Sequence, residues 1–195
     1  MSKATALLAK LKHYLPKYVL AIIYNSLCLS HISYALLVWG SAPKSCMSRL
    51  TKLQKKGIRH ICHSKYNAHT HPLFKKERIL QIGDLFKTQC AKIMCKKIQN
   101  KLHHYHSSKL TMNYEKQTIV TRQRFDVQMS SNEDNNNLSR INSINYKVGT
   151  NWNKLPFNSK MLAFKTIPTF VKHIKNLYLA TYTDVCNIKD CYSCK

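Results

Sequence analysis

The sequence predicts a mostly α-helical fold, in which a helical bundle over residues 1–104 is followed by a less regular C-terminal extension with a final helix. Gly and Pro are scarce, at 4 and 5 of the 195 residues, so few positions interrupt long elements. Apolar residues recur at spacings of three, four and seven in several stretches, which is the period of a helix. Hydrophobic residues make up 44% of the chain, enough for a packed core.

Two helices are predicted before residue 39. Residues 4–14 show a short helical pattern that the Leu15-Pro16 step ends. Residues 17–38 predict one long helix, and the stretch Trp-Gly-Ser-Ala-Pro at 39–43 breaks it. The apolar positions of this long helix, which we expect to face the core, are Leu20, Tyr24, Leu27, Tyr34 and Val38.

A third helix over residues 45–62 is the most clearly amphipathic element. On a helical wheel its apolar side chains occupy one half; they are Met47, Leu50, Leu53, Ile58, Ile61 and Cys62. Its cations fall within about a third of the circle on the other side; they are Arg49, Lys52, Lys55, Lys56 and Arg59. Long cations on one face with apolar anchoring on the other are typical of phosphate contact. The alternative is a solvated face without a ligand.

Residues 63–104 predict a histidine-rich loop over 63–72, a turn or two of helix over 73–79, and a longer helix. Asp84 is the expected N-cap of that longer helix, which continues to about His104. Its expected core positions are Phe86, Cys90, Ile93, Met94, Ile98 and Leu102.

Three further segments follow. Residues 105–140 are irregular: Tyr114 and Ile119-Val120 are possible strand or anchor points, and 128–140 form a polar, low-complexity loop that we expect to be mobile. Residues 141–180 hold an aromatic box and a final helix that has Pro168 in its first turn. The large anchors of this segment are Ile141, Ile144, Tyr146, Trp152, Leu155 and Phe157. Residues 181–195 are a tail with three cysteines.

The charge points to a polyanionic partner. The formal net charge is +24, and residues 1–76 contain 13 Lys and Arg but no acid. Such a surface favours nucleic acid or an anionic membrane. The eight acids are scattered, and the only adjacent pair is Glu133-Asp134. Chemistry that needs paired carboxylates, such as two-metal catalysis or glycoside hydrolysis, is therefore not expected, and neither is a small-molecule substrate.

The cysteines and one uncharged stretch bear on compartment and membrane. The first five cysteines lie singly in apolar or amphipathic stretches, which indicates a reducing compartment, cytoplasmic or nuclear. Residues 18–43 carry no formal charge, so a membrane span must be considered. Asn25, Ser26 and Ser30 interrupt this stretch, and a buried helix is the favoured interpretation.

Two groups of side chains could suggest a metal. The first lies around the histidine-rich loop: His60, Cys62, His63, His69 and His71. The second is Cys186, Cys191 and Cys194 in the tail, with His173 as a conceivable fourth ligand. The first group lacks the paired spacing of a zinc finger and the second offers only three sulfurs, so we expect no metal and no cofactor.

Several short boxes occur in a recognisable order. They are YNSLCLSHISYALLVWG at 24–40, LQKKGIRHI at 53–61, HTHPLF at 69–74, SINY at 143–146 and WNKLP at 152–156. Over about residues 18–180 this set resembles the region downstream of the polymerase core in LINE-type (non-LTR) retrotransposon reverse transcriptases, especially the jockey-like group. Gly57 stands where that family usually has Ala, Ser30 where it has Pro, and Val148-Gly149 where it has Gly-Pro.

The resemblance implies a thumb and post-thumb region that contacts the template–primer, which includes both RNA and DNA, through the backbone of the nucleic acid. The family's polymerase holds two Mg²⁺ on an Asp-Asp turn, and this chain has no Asp-Asp. We therefore expect a nucleic-acid-binding C-terminal fragment of an RNA-directed DNA polymerase, with residues 1–104 thumb-like and no catalytic activity in this chain alone. The alternatives are a relic-derived basic interaction protein without retained function, and a membrane-associated protein using residues 18–43.

Overall fold

Helices dominate the structure, as the sequence predicts. The structure is a computed structural model and describes residues 1–116, 123–129 and 143–183. Within those residues the chain is mostly helical and has no strand, which confirms the mostly-α fold class. An isolated antiparallel bridge joins Met112 to Val127.

The N-terminal part contains α1 (Ser2–Leu11), α2 (Lys17–Ile23), α3 (Ser30–Ser33), α4 (Leu36–Trp39), α5 (Lys44–Ile61), α6 (His71–Lys76) and α7 (Ile82–Ile98). A π-helical segment, Tyr24–Leu29, joins α2 to α3. The later helices are α8 (His104–Ser108), α9 (Asn113–Lys116), α10 (Ile144–Asn153), α11 (Phe157–Met161) and α12 (Ile167–Ala180), with a 3₁₀ turn at Leu162–Phe164.

The chain divides into two compact units. Among the described residues, the first contains 1–36, 42–85 and 177–183, and the second contains 37–41, 86–116, 123–129 and 143–176. The segment boundaries predicted from the sequence at residues 104, 140 and 180 follow local pattern, and they stay predictions.

The core of the first unit forms where α1, α2 and the π-helical segment pack against α5. Its buried members are Leu8, Leu20, Tyr24, Cys28, Ile58, Ile61, Phe74, Ile79, Leu80, Leu179 and Tyr182. Tyr182 follows the last helix, yet its ring lies edge-on to Phe74 and beside His71. Tyr182 is therefore part of this core, although the sequence places it in the tail.

The prediction of a single long helix over residues 17–38 is wrong. The chain leaves helical geometry at Tyr34 (ψ 122°) and Ala35 (φ 47°), and no Gly or Pro marks that break. Of the five apolar positions predicted for the core, only Leu20 and Tyr24 are buried. The other three, Leu27, Tyr34 and Val38, are exposed.

The π-helical segment explains which residues are buried instead. The buried positions are four apart: Leu20, Tyr24, Cys28, Ile32 and Leu36. In a regular α-helix, a four-residue step overshoots one turn by about 40°, so such a line drifts around the helix. A π turn holds more residues per turn and offsets that drift. The segment therefore helps to keep Leu20, Tyr24, Cys28 and Ile32 on one side, which a search for α-helical period cannot foresee, whereas Leu36 lies beyond the break at Tyr34-Ala35.

Tertiary contacts set the start of α7. The helix begins at Ile82 and not at Asp84, so the predicted N-cap is wrong. The Ile82 N–H donates to Oε1 of Gln54 on α5, and the Gln81 N–H donates to the Tyr182 hydroxyl. Asp84 lies in the first turn, where its charge suits the helix dipole, and it accepts the Tyr182 O–H at 2.8 Å.

The same helix ends earlier than predicted, at Ile98 instead of about His104. Asn100 has a φ of 54°, and the Lys101 N–H bonds back to the Lys96 carbonyl at 2.8 Å. This arrangement closes a helix with a left-handed residue, usually Gly and sometimes Asn. Of the six predicted core positions, Phe86, Cys90 and Met94 are buried. The other three are half-buried: Ile93, Ile98 and Leu102, of which Leu102 lies beyond the end of the helix.

The second unit is built around the WNKLP box. Trp152 is fully buried and its Nε1 donates to the Phe125 carbonyl at 2.7 Å. Asn153 bonds to both backbone groups of Val127, at 2.8 and 3.0 Å. The buried Lys160 pairs with Asp126 and also donates to the Asn153 carbonyl. The box therefore has a structural role, as predicted for Trp152.

Other expectations about this region have mixed outcomes. Pro168 lies in the first turn of α12, as predicted, but Phe157 is exposed and not an anchor. Tyr146 is half-buried. Ile119-Val120, Ile141, most of the polar loop and the three tail cysteines lie outside the described residues.

Candidate nucleic-acid interface

The helix α5 has the two faces that the sequence predicts. Its most buried positions are Gln54, Gly57, Ile58 and Ile61, and they form one stripe. The apolar residues Met47, Leu50 and Leu53 flank that stripe and are half-buried.

The five predicted cations are not equally accessible. Arg49, Lys52 and Lys56 are exposed, whereas Lys55 and Arg59 are half-buried. Among the residues that the structure describes, none of the five forms an ion pair. The nearest acid in sequence, Glu77, pairs with Lys17 through Oε1 at 2.5 Å from Nζ. The α5 cation face, Arg49, Lys52 and Lys56, is therefore not neutralised within the described part of the chain.

Gln54 fixes the rotation of α5 about its axis. Its Nε2 donates to the Leu80 carbonyl at 2.9 Å and its Oε1 accepts from the Ile82 N–H at 3.0 Å. Because both partners are backbone groups, turning α5 would break two buried hydrogen bonds. A polar residue in the middle of an apolar stripe thus orients the cation face toward solvent.

Gly57 allows close packing on the same stripe. A Cβ at this position would lie 3.0 Å from Cε2 of the fully buried Tyr24 ring. The missing side chain therefore makes room for Tyr24, although it costs the helix up to about 1 kcal/mol in propensity.

The end of α5 explains why Arg59 is half-buried. His63 adopts a left-handed φ of 49°, and the Ser64 N–H bonds back to the Arg59 carbonyl at 3.0 Å. The loop then returns over the helix, and Nε of Arg59 donates to the Ala68 carbonyl at 2.9 Å. Burial lowers the pKa of the Arg59 guanidinium from its ordinary value, but that value is so high that the group stays charged.

A surface cavity of about 290 Å³ lies beside this end of α5. Its lining residues, here the basic pocket, are Lys12, Lys56, Arg59, His60, Ser64 and Tyr66. Burial lowers the pKa of His60, and Lys12, Lys56 and Arg59 lower it further because they are positive. The His60 imidazole thus lies close to three positive charges in the pocket.

Lys12 is a functional candidate that sequence reasoning missed. It follows α1 and is far from α5 in sequence, so no local pattern connects it with Lys56 and Arg59. Only the packing of α1 on α5 brings these side chains to one cavity.

The histidine-rich segment does not assemble a metal site. His60 lines the basic pocket, His63 closes α5, and His71 lies against Tyr182. Within the described residues, no group of three or more His, Cys, Asp or Glu side chains is arranged to hold a metal ion. His173 bonds to Ser159 at 3.0 Å, and the tail cysteines lie outside the described residues, so their lack of a closed zinc site stays a prediction.

The five described cysteines are free thiols: Cys28, Cys46, Cys62, Cys90 and Cys95. Burial, with the nearby Glu77 carboxylate, raises the pKa of Cys62 to about 11. Burial also raises the pKa of Cys90 to about 12. These two thiols are therefore protonated at neutral pH and lack nucleophilic character.

Across residues 1–116, 123–129 and 143–183, no helix combines the length and the apolar character that crossing a membrane requires. The chain matches no protein-family model, no curated protein and no solved structure. The resemblance to LINE-type reverse transcriptases therefore rests on the ordered boxes alone.

Proposed function

We propose that this chain binds nucleic acid through its phosphates, without sequence preference, and that the α5 cation face is the principal contact. The observation that carries the proposal is the exposure of Arg49, Lys52 and Lys56 on a helix held in one orientation, with no ion pair in the described part of the chain. In the resembled family, this role corresponds to a C-terminal fragment that grips template–primer and lacks the polymerase palm.

The chemistry of the side chains supports backbone contact. Lysine acts as a point charge and does not read base edges, so Lys52 and Lys56 would contact phosphates of any sequence. The absence of acids from residues 1–76 keeps repulsion of phosphate low around α5. Free thiols in the described part suit a reducing compartment, so we propose a cytoplasmic or nuclear location.

The test is the salt dependence of binding to duplexes of unrelated sequence, measured by fluorescence anisotropy. If about four phosphates are engaged, log Kobs falls with log salt with a slope near −3 to −4. We expect the same slope and closely similar affinities for every sequence. A strong preference for one duplex would contradict the proposal. Absence of binding would favour a basic interaction protein without a retained nucleic-acid role.

A further inference from the structure

We propose that the basic pocket binds one phosphate of single-stranded nucleic acid and that the adjacent base stacks on Tyr66. This inference rests on the proposed function and adds a single-strand site to it. It uses Arg59 of α5 together with Lys12 and Tyr66, which lie outside α5.

The charge of the pocket calls for an anion. Lys12, Lys56 and Arg59 line one cavity, and none of its six lining residues is acidic. Three cations in one cavity repel each other, and a bound phosphate would relieve that repulsion.

The negative ends of the nearby helix dipoles are too weak to neutralise the three cations. The pocket lies near the ends of α1 and α5, and each helix C-terminus carries roughly half a negative charge. Three formal cations exceed this by about two charges. The α5 carbonyl at Arg59 is moreover already bonded to the Ser64 N–H. The excess is thus available to a ligand.

The loop that carries Tyr66 is fixed on both sides. Ser64 is tied to the Arg59 carbonyl, and Ala68 is tied to the Arg59 side chain. Tyr66 lies between these two anchors, lines the pocket, and is 80% exposed. A large exposed aromatic ring on a fixed loop beside cations is the arrangement that binds unpaired bases, because every base has a face to stack.

Arg59 connects the two halves of the pocket. Its Nε holds the loop, while the other guanidinium N–H groups have no hydrogen-bond partner within the described residues. These groups can donate to a phosphate without releasing the loop. A base paired inside a duplex cannot reach Tyr66, so the pocket favours single strands.

The experiment compares the full chain with five variants, using labelled oligo-dT and a duplex of equal length. Tyr66→Ala should weaken oligo-dT binding about 5-fold to 150-fold and duplex binding much less. Tyr14→Ala removes another exposed tyrosine and should change neither. Lys12→Ala should flatten the single-strand salt slope by about 0.7. Lys10→Ala, at an exposed position in the last turn of α1, should not.

Each outcome decides the question. Equal behaviour of Tyr66→Ala and Tyr14→Ala, or equal loss of strand and duplex binding in Tyr66→Ala, would overturn the inference and leave the proposed function standing. Absence of binding by the unmodified chain would overturn both. A Tyr66→Phe variant, which keeps the ring, should bind oligo-dT as the unmodified chain does.

Discussion

Gly57 and Gly83 are both helical glycines, but their surroundings differ. A Cβ at Gly83, in the first turn of α7, would meet no atom within 4 Å, whereas one at Gly57 would press on Tyr24. We predict that Gly83→Ala stabilises the fold by about 0.5–1 kcal/mol, because alanine restricts the unfolded chain. Gly57→Ala should gain clearly less, since the buried ring must shift. Urea denaturation measures the free energy of unfolding of the two variants. Equal increases would contradict the prediction and would show that the Tyr24 ring shifts without a loss of stability.

His60 predicts a pH dependence of binding. Burial and the cations of the basic pocket hold its pKa below the usual value, so the free imidazole is neutral at pH 7. A phosphate in the pocket would favour the protonated form and raise that pKa. Protonation therefore favours the complex, and oligo-dT affinity should rise as the pH falls through the pKa of the complex.

The variant His60→Gln should remove that part of the pH dependence, and His13→Gln, at an exposed position, should keep it. Anisotropy titrations between about pH 5.5 and pH 7.5 measure the effect. An identical pH dependence in both variants would show that His60 does not face the bound phosphate.

At the scale of elements, Gln54 links α5 to the start of α7. It supplies a donor to Leu80 and an acceptor to Ile82, and both of these bonds are buried. We predict that Gln54→Leu destabilises the fold by about 2–5 kcal/mol, because it leaves two buried backbone groups without partners. Lys52→Leu, at an exposed position of the same helix, should change stability by less than about 0.5 kcal/mol. Thermal unfolding measures the stability of both variants. A loss in Gln54→Leu as small as the change in Lys52→Leu would contradict the prediction and would mean that water satisfies the two backbone groups.

The elements that the sequence predicts best are those decided by local chemistry. The faces of α5 follow from helical period, and Pro168 lies in the first turn of α12, where its fixed φ is compatible with a helix. Two of the misses have tertiary causes. The early start of α7 and the burial of Tyr182 depend on partners distant in sequence.

The candidate site divides in the same way. Arg49, Lys52 and Lys56 could be found from the wheel because their exposure depends only on the opposite face being buried. The half-burial of Arg59 could not, since it results from the loop that returns to Ala68. Lys12 and Tyr66 lie outside α5, and only the folded chain assembles them into a pocket.

For the whole molecule, the scarcity of acids bears on whether the chain can hold catalytic metal ions. The eight acids are spread over residues 77–190 without an Asp-Asp pair. In the described part, Glu77, Glu115 and Asp126 each form an ion pair with a lysine. These carboxylates are thus engaged in structural contacts and are not gathered for two Mg²⁺ ions.

We therefore predict that the purified chain does not extend a primer. An assay with template RNA, primer, Mg²⁺ and deoxynucleotides should show nothing above a reaction without protein, even at concentrations that saturate binding. Template-dependent extension would mean that some of these acids bind catalytic metal.

The central claim is that the α5 cation face, and not net charge alone, binds phosphate. The most direct measurement compares the duplex salt slopes of two triple variants with that of the unmodified chain. One reverses Arg49, Lys52 and Lys56 to Glu, and the other reverses Lys3, Lys10 and Lys172, which are also exposed, so both change net charge equally. The first should lose most of its affinity and flatten the slope by about 2.7, while the second should keep a slope near −3 to −4. Equal losses in the two variants would contradict the claim and attribute binding to bulk charge.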